Sequence, residues 1–462
     1  MPQRGLNYTI ACVAILAVCM SAVNSQVGHA SSIANKYRLA FGSCFGLKII
    51  YQTSRIFDSV YADKPDSFIW LGDFAYLDGV RYSRLGVEHH YNSLQIAKQR
   101  LDESYNDPHY AKLRKSTKIY GIWDDHDSGI NNSDKSNKVK EIVRGLFLDA
   151  MDEPKDSLRR TRKGGMYESY YLDADKKIKL ILLDVRYQRD VLKDKSVLFK
   201  DKSLLGVEQE EFLKKEVLKS EAHFTLIGLG NQLIHDDRLF VERIFPKTRE
   251  LLLTLYNPKT RVILLSGDVH FAEILSEPCC THVHGHPIYE FTSSGLSHSV
   301  RSIFGSLADS ALNFIFPDTY STPADRFVDL NYAVMDFSID PKNMNKSSVI
   351  FSVRDVDGHT RLSKTLTIGT DLPSTDKPDY RRFRQCVKAR GKRMWRIVKN
   401  MVVRGLDPRT PVVYVLTIAI LIVVMLVYCG IWITFKMWRA IFGWMIRKVF
   451  GTGKSSDADK NK

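Results

Sequence analysis

Three carboxylates and an imidazole crowd into one short stretch, "KIYGIWDDHDSGINN", residues 118–132. An apolar run ends there and is followed at once by Asp124, Asp125, His126 and Asp127. Like charges this close repel one another, and burying them unpaired is costly. Full exposure to solvent would remove that cost, and so would a bound cation. The stretch is therefore a candidate metal site.

Three other stretches could supply further ligands. "GDFAY" holds Asp73 and Tyr76, a carboxylate that can bridge two cations and a phenolic oxygen that suits Fe³⁺. Cys44, in "FGSC", is either a thiolate ligand or a small buried hydrophobe. Asp268 and His270, in "SGDVHFAE", are two residues apart and can face the same ion. Each also has an ordinary explanation as a turn or core residue, but their combination favours a metal centre.

Strand-like apolar runs precede these polar groups, and helical patterns such as residues 91–101, 138–151 and 207–219 separate the runs. This alternation predicts an α/β fold. In such sheets, ligands bind beyond the carboxyl ends of the strands. The predicted ends carry Cys44, Asp73, Tyr76, Asp124 to Asp127, Asp184, Arg186, Asn231, Gln232, Asp268 and His270.

A second set of strand-like runs follows Asp268: "IYEFTSSG", "YAVMDFSI" and "SSVIFSVRDVDG". These predict a second sheet packed on the first, in one sandwich-like domain over residues 36–372. Residues 373–410 are predicted to form a linker and a juxtamembrane segment.

Two apolar segments indicate a membrane protein of the secretory pathway. Residues 1–26 fit a signal peptide, with an uncleaved anchor as the alternative. Residues 411–435 are uncharged and long enough to span a bilayer. We therefore expect a single-pass type I protein in the endoplasmic reticulum, Golgi, vacuole or cell surface, with a lumenal or extracellular domain and a basic cytosolic tail, residues 436–462.

The net charge of +15 is confined to the C-terminal part of the chain. Residues 381–462 hold 18 basic and 3 acidic residues, so the remainder is neutral and no nucleic acid partner is expected. No acidic residue occurs over 381–404, where Phe383, Trp395 and Ile397 are interleaved with basic residues. This predicts an amphipathic helix on anionic lipid, with a solvated basic linker as the alternative.

Four cysteines belong to the predicted exported part: Cys44, Cys279, Cys280 and Cys386. If Cys44 binds metal, three thiols remain and at least one is unpaired. Asn131 and Asn345 begin N-glycosylation sequons, and Asn345, in a polar turn, is the predicted glycosylation site.

The stretches "FGSC", "WLGDFAYLDG", "IWDDHDSGINN", "LLDVRYQRD", "LLGVEQEEFLKKEV", "GNQ", "SGDVHFAE" and "YEFTSSGLSHS" resemble, in order and spacing, the PhoD-like alkaline phosphatase D family of metallophosphatases. The resemblance runs from about Tyr37 to Asp355. It implies a metallophosphatase-type two-sheet sandwich flanked by helices. It also implies hydrolysis of phosphomonoesters, phosphodiesters or both at a polynuclear metal centre.

The resemblance also assigns roles to residues. It implies that Fe³⁺ is held by Cys44, Asp73, Tyr76 and His270, and that Ca²⁺ is held by Asp73, Asp125 and Asp268. His126, Arg186 and Asp124 are the predicted catalytic residues, although the division of work between Asp124 and its neighbour Asp125 stays open. Asn131, Arg186 and Gln232 are predicted to contact the substrate, with Arg186 clamping phosphate oxygens.

Two other functions compete with this interpretation. The chain could be a membrane-anchored binding protein on an inactive phosphatase scaffold, but every ligand type that the chemistry needs is present. It could also be a phospholipase-like phosphodiesterase, because the basic segment could hold the site near lipid headgroups.

Overall fold

The computed structural model describes residues 34–46, 54–83, 86–192, 199–238, 245–370, 377–392, 395–400, 436 and 438–439. The chain divides into two compact units, Met1–Ile397 and Val398–Lys462, and the elements below all belong to the first. The predicted signal peptide, membrane span and most of the cytosolic tail lie outside the described residues. Among the residues that are described, no helix combines the length and apolar character needed to cross a bilayer.

The first sheet has six strands, in the order β15-β14-β13-β1-β2-β5. β1 is parallel to β2, and β2 to β5, whereas β13 to β15 form an antiparallel extension that joins at β1. The strands are β1 (Asn35–Gly42), β2 (Ser67–Leu71), β5 (Lys118–Ile122), β13 (Tyr332–Ile339), β14 (Ser348–Arg354) and β15 (Thr360–Thr367).

The second sheet has seven strands, in the order β12-β10-β11-β9-β8-β7-β6. Its centre is parallel and its edges are antiparallel. The strands are β6 (Glu168–Tyr171), β7 (Ile178–Leu182), β8 (Phe224–Gly228), β9 (Arg261–Ser266), β10 (Ala272–Glu277), β11 (Ile288–Thr292) and β12 (Arg326–Phe327), and a separate hairpin pairs β3 (Asp78–Ser83) with β4 (Gly86–Tyr91).

The helices described are α1 (Ile56–Ala62), α2 (Leu94–Tyr105), α3 (Pro108–Ser116), α4 (Lys140–Ala150), α5 (Val207–Leu218), α6 (Pro246–Thr254), α7 (Thr281–His284), α8 (Val300–Phe304), α9 (Ala308–Ile315) and α10 (Tyr380–Ala389). Asp107 caps α3, since its carboxylate accepts the N–H groups of His109 and Tyr110.

The two sheets pack face to face around one apolar core. β2, "SFIWL", is buried along its whole length, as expected for a parallel strand covered on both faces. Across the interface, Phe291 of β11 stacks on Phe351 of β14 with ring centroids 4.0 Å apart. A second core cluster includes Leu213 of α5 and Leu253 of α6. The predicted α/β architecture of two sheets with flanking helices is confirmed.

The C-terminal helix α10 differs from the sequence prediction of a linker followed by a lipid-bound helix. Phe383 is only 3% exposed and belongs to the second core cluster, and Cys386 forms a disulfide with Cys279. Arg390 donates to the buried carboxylate of Glu277 at 2.9 Å. Ile397 is also buried. The apolar side chains at Phe383 and Ile397 are therefore covered by protein, and 380–389 is part of the domain.

Candidate metal centre

The sequence-predicted ligands come together beyond the carboxyl ends of β1, β2, β5 and β9. Possible ligand atoms of Asp73, Asp125 and His126 lie within 4.8 Å of one another, and so do those of Asp124, Asp125 and Asp268. Asp73 also lies beside Cys44, with 3.6 Å between Oδ2 and Sγ. Both sheets thus deliver carboxylates to one cluster.

The backbone is strained where it presents these side chains. Four of the eight described non-glycine residues with positive φ are predicted ligands: Cys44 (64°), Asp73 (51°), Asp268 (74°) and His270 (60°). Such conformations cost on the order of 1 kcal/mol or more each and persist where the surroundings enforce them. This clustering at one place is typical of a functional site.

The glycine before each of two aspartates lets the strand ends approach closely. A Cβ at Gly267 would lie 2.4 Å from the carbonyl oxygen of Leu71 and from Oγ of Ser43. A Cβ at Gly72 would lie 2.4 Å from Cβ of Asp124. Packing therefore requires glycine at both positions, and the positive φ of Gly72 (86°) favours glycine there as well.

The three aspartates of the acidic stretch after β5 have different partners. Asp124 forms a two-pronged ion pair with Arg186, in which Nη2 lies 2.9 Å from Oδ2. Asp127 accepts the N–H groups of Ala75 at 2.9 Å and of Asp124 at 3.1 Å, so it holds the turn. Asp125 belongs to both clusters of possible ligands, the one with Asp73 and the one with Asp268. Burial alone would raise the pKa of Asp125, but Arg186 and His126 hold this pKa well below its usual range.

His126 is held in a fixed orientation. Its Nδ1 lies 2.8 Å from Oδ1 of the buried Asp78, and its ring packs on Tyr76 with centroids 4.2 Å apart. Burial by itself lowers the pKa of His126, but Asp125 and Asp73 outweigh it and raise the pKa well above its ordinary value. Asp78 was not predicted as a site residue, although it lies in the quoted motif "WLGDFAYLDG".

Cys44, Tyr76 and His270 lie around the same cluster. Burial raises the pKa of the Cys44 thiol and of the Tyr76 hydroxyl well above their ordinary values, and burial lowers the pKa of His270 to about 4. Without a cation, all three side chains are therefore neutral at pH 7.

The donor set fits a bound cation. Among the described residues, the buried Oδ1 of Asp73 and Nδ1 of His270 have no hydrogen-bond partner. Buried polar atoms are rarely left unsatisfied in this way, and each exception needs an explanation. A metal ion accepts electron pairs from a carboxylate oxygen and from an imidazole nitrogen. These two atoms are among thirteen such atoms in the described residues, and both belong to predicted ligands.

The three predicted substrate-binding residues differ in their burial and in their hydrogen-bond partners. The Arg186 guanidinium is 1% exposed and engaged by Asp124, so phosphate clamping by this arginine stays a prediction. Nε2 of Gln232 donates to Glu273 and Thr292, both at 3.0 Å, which ties this amide into the second sheet. Asn131 is half-buried beside the cluster, and its neighbour Asn132 donates its N–H to Asp125 at 2.6 Å.

Two other sequence-predicted groups have different environments. Asp184 accepts Trp123 Nε1 at 2.8 Å and the N–H groups of Met166 and Arg186, so it supports the fold beneath the cluster. Asn345 is exposed in a turn, as a glycosylation acceptor must be, and its modification stays a prediction.

His298 lies in the cluster but was not predicted as a site residue. Its Nε2 lies 2.9 Å from the Tyr76 hydroxyl, and its ring centroid lies 4.5 Å from that of His270. The sequence feature that could have indicated His298 is the serine-rich stretch "TSSGLSHS", in which this histidine lies. The contacts of His298 with Tyr76 and His270 depend on tertiary packing that the stretch alone does not reveal.

The segment after β8 is fastened by a buried glutamate, which makes stability sensitive to pH. Glu290 accepts the N–H groups of Leu233 and Ile234, and burial raises its pKa to about 7 from an ordinary value of 4.5. Between these values the unfolded chain releases the proton and the folded chain retains it. The stabilisation is therefore complete below pH 4.5 and lost as the pH rises through 7.

We expect Glu290→Gln to flatten the pH dependence of the free energy of unfolding between pH 4.5 and 7. Glutamine keeps an oxygen acceptor for both N–H groups but cannot ionise. The change over this window should shrink by up to about 3 kcal/mol, measured by urea denaturation at several pH values. Glu211→Gln, at an exposed glutamate, is the control and should leave the slope unchanged.

Known structures and sequences place this geometry in a family. A solved structure described as "Structure of PhoD" matches with a TM-score of 0.50 and 16% sequence identity, over 82% of this chain and 79% of that chain. A 5'-nucleotidase precursor from Thermus thermophilus matches with a TM-score of 0.32 and 9% identity, over 77% of this chain and 59% of that chain, which is too distant to support an argument. A comparison with curated protein sequences finds no match.

The family model described as "PhoD-like phosphatase" matches residues 39–311, which is more than half of the chain. The matched range contains all the predicted metal ligands, from Cys44 to His270, and also His298. The chain therefore belongs to the PhoD-like phosphatase family and is a metal-dependent phosphoesterase.

Proposed function

We propose that this protein hydrolyses phosphate esters at a polynuclear centre in which Cys44, Asp73, Tyr76 and His270 hold Fe³⁺, and Asp73, Asp125 and Asp268 hold Ca²⁺. The observation that carries the proposal is that two buried atoms of predicted ligands, Oδ1 of Asp73 and Nδ1 of His270, have no hydrogen-bond partner among the described residues. They accompany two clusters of possible ligand atoms that share Asp125. A thiol, a phenol and an imidazole suit iron, whereas a set made only of carboxylates suits calcium.

When bound, the cations would polarise the phosphoryl group and lower the pKa of water toward 7. The chain's own residues supply orientation and a proton. Asp73 lies between the two ligand sets, beside Cys44 on one side and Asp125 on the other. Arg186 neutralises Asp124, which keeps one of the crowded carboxylates paired.

His126 is the group placed to protonate the departing alkoxide. Its Nδ1 lies 2.8 Å from Oδ1 of Asp78, and this contact fixes the orientation of the ring, as a general acid requires. In the metal-free chain, the neighbouring carboxylates of Asp125 and Asp73 raise the pKa of His126 and so favour the protonated ring.

The proposal includes a single-pass type I anchor. It is supported by the uncharged run over residues 411–435 and by the basic residues Lys436, Arg439, Arg447 and Lys448 after it. The basic residues of α10 that face solvent, Arg381, Arg382 and Lys388, can meet anionic headgroups while its apolar face packs on the domain.

The test is hydrolysis of a chromogenic phosphodiester beside its monoester, using the purified full chain supplied with iron and Ca²⁺. We expect turnover of at least one ester, its loss with a chelator and its recovery when the metals are restored. A fragment that ends at Tyr380 is unsuitable, because it lacks Cys386 and the disulfide.

Asp357→Asn is the matched control, because Asp357 is an exposed aspartate that lies with Asp355 and His359 outside the proposed centre. This variant should keep the wild-type rate. A chain that binds both metals and hydrolyses neither ester would favour an inactive binding scaffold instead.

A further inference from the structure

The segment Ser294–His298, which follows β11, contacts three of the four proposed iron ligands. Oγ of Ser294 lies 3.0 Å from Sγ of Cys44 and accepts the backbone N–H of His270 at 2.8 Å. One serine hydroxyl thus joins a ligand from the first sheet to a ligand from the second.

His298 makes the corresponding contact with the third ligand. Its Nε2 lies 2.9 Å from the hydroxyl oxygen of Tyr76, and its Nδ1 lies 3.1 Å from Oγ of Ser297. Ser297 in turn accepts the N–H of Gly46 at 2.9 Å and donates to the carbonyl of Cys44 at 3.3 Å. A continuous set of hydrogen bonds therefore links Tyr76 to the backbone around Cys44.

The His298 ring has little freedom, because it is 5% exposed and has a partner at both nitrogens. The Ser297 hydroxyl has one proton: it donates to the Cys44 carbonyl when Nδ1 of His298 is the donor, and it can turn to Nδ1 when Nε2 is the donor instead. The ring can consequently hold the Tyr76 oxygen in place whether that oxygen donates or accepts. Partners of this kind orient metal ligands and tune the metal, and their loss typically weakens metal binding.

We propose that Ser294 and His298 are positioning residues of the metal centre: Ser294 fixes Cys44 against His270, and His298 fixes the oxygen of Tyr76. This inference rests on the proposed function, since it assumes that Cys44, Tyr76 and His270 bind one metal ion.

The test compares the wild-type full chain, loaded with iron, with His298→Ala, His298→Gln and Ser294→Ala. The readouts are the iron affinity, measured as metal per chain against a competing chelator, and the visible charge-transfer absorption of the loaded chain. A tyrosine oxygen bound to Fe³⁺ gives such absorption, and its wavelength changes when a hydrogen bond to that oxygen is removed. His223→Ala is the matched control, because His223 is also buried and bonded to one serine, Ser347, at 2.9 Å.

We expect His298→Ala to weaken iron binding by about 10- to 100-fold and to shift the absorption band. Ser294→Ala should weaken iron binding less, and His298→Gln, which can still bond to Tyr76, should recover most of the affinity. His223→Ala should match the wild type.

Wild-type iron affinity and an unshifted band in His298→Ala would overturn the inference. If the wild type hydrolyses esters without binding iron, the inference fails and hydrolysis stands. If it neither binds iron nor hydrolyses either ester, the inference and the proposed function fail together.

Discussion

Asp73→Asn is expected to lower kcat by about 10²- to 10³-fold in the chain supplied with metals, the scale of losing a group that stabilises charge in a transition state. Asp73 is fully buried between Cys44 and Asp125, and its Oδ1 has no partner among the described residues. An amide at this position is a weaker metal ligand because it carries no charge.

The same substitution should leave the metal-free chain folded. Burial raises the pKa of Asp73 well above its ordinary value, so in the absence of metal the protein gains nothing from a charge there. Thermal unfolding with a chelator present should therefore show Asp73→Asn at least as stable as the wild type. Added metal should raise the unfolding temperature of the wild type much more than that of the variant.

These paired measurements separate a ligand from a structural residue. Full activity in Asp73→Asn would contradict the bridging role, and so would equal stabilisation of both chains by metal. Asp357→Asn, at an exposed aspartate outside the proposed centre, should behave like the wild type in both experiments.

Cys386→Ser is expected to lower the free energy of unfolding by about 3 to 5 kcal/mol. The disulfide joins Cys279 to Cys386, which are 107 residues apart in the sequence. A cross-link that closes a long loop restricts the unfolded chain more than one that closes a short loop. The disulfide also fastens α10, whose Phe383 fills the second core cluster. Urea denaturation followed by tryptophan fluorescence would measure the loss.

A reducing agent supplies the control for this prediction. It should destabilise the wild type to the level of Cys386→Ser and leave that variant unchanged, because the other two described cysteines, Cys44 and Cys280, are free. A variant as stable as the oxidised wild type would show that noncovalent contacts, such as Arg390 with Glu277, hold α10 by themselves.

The gathering of the candidate ligands at one edge could be predicted because it rests on local patterns. Apolar runs that end in Gly-Asp or in the acidic stretch mark the carboxyl ends of parallel strands, and such ends meet at one edge of a sheet. The convergence of Asp73, the acidic stretch and Asp268 was therefore expected without any knowledge of contacts, and their role as metal ligands stays a prediction. The prediction of an unpaired thiol is also confirmed, since Cys280 is free among the described cysteines.

Other features depend on contacts between distant parts of the chain. Asp124 and Asp125 are adjacent and chemically identical, and their partners distinguish them: Arg186 binds Asp124 with both prongs, whereas Asp125 accepts the N–H of Asn132. The basic composition of α10 resembles that of a helix that binds lipid, whereas its partner, Cys279, lies more than 100 residues earlier in the chain. His298 was missed for the same reason, because its contact with Tyr76 spans the two sheets.

The order of strands in the first sheet has a consequence for biosynthesis. β1 is flanked by β2 and by β13, and Asn35 pairs with Ile339 from the far end of the domain. During translation, one edge of β1 stays unpaired until β13 has been synthesised. Unpaired strand edges of this kind promote aggregation. Cys44 and Asp73 come early in the chain, but the sheet that places them is completed late. Uptake of metal is thus expected after synthesis of the domain, so the local supply of metal at that moment is expected to affect how much active protein is formed.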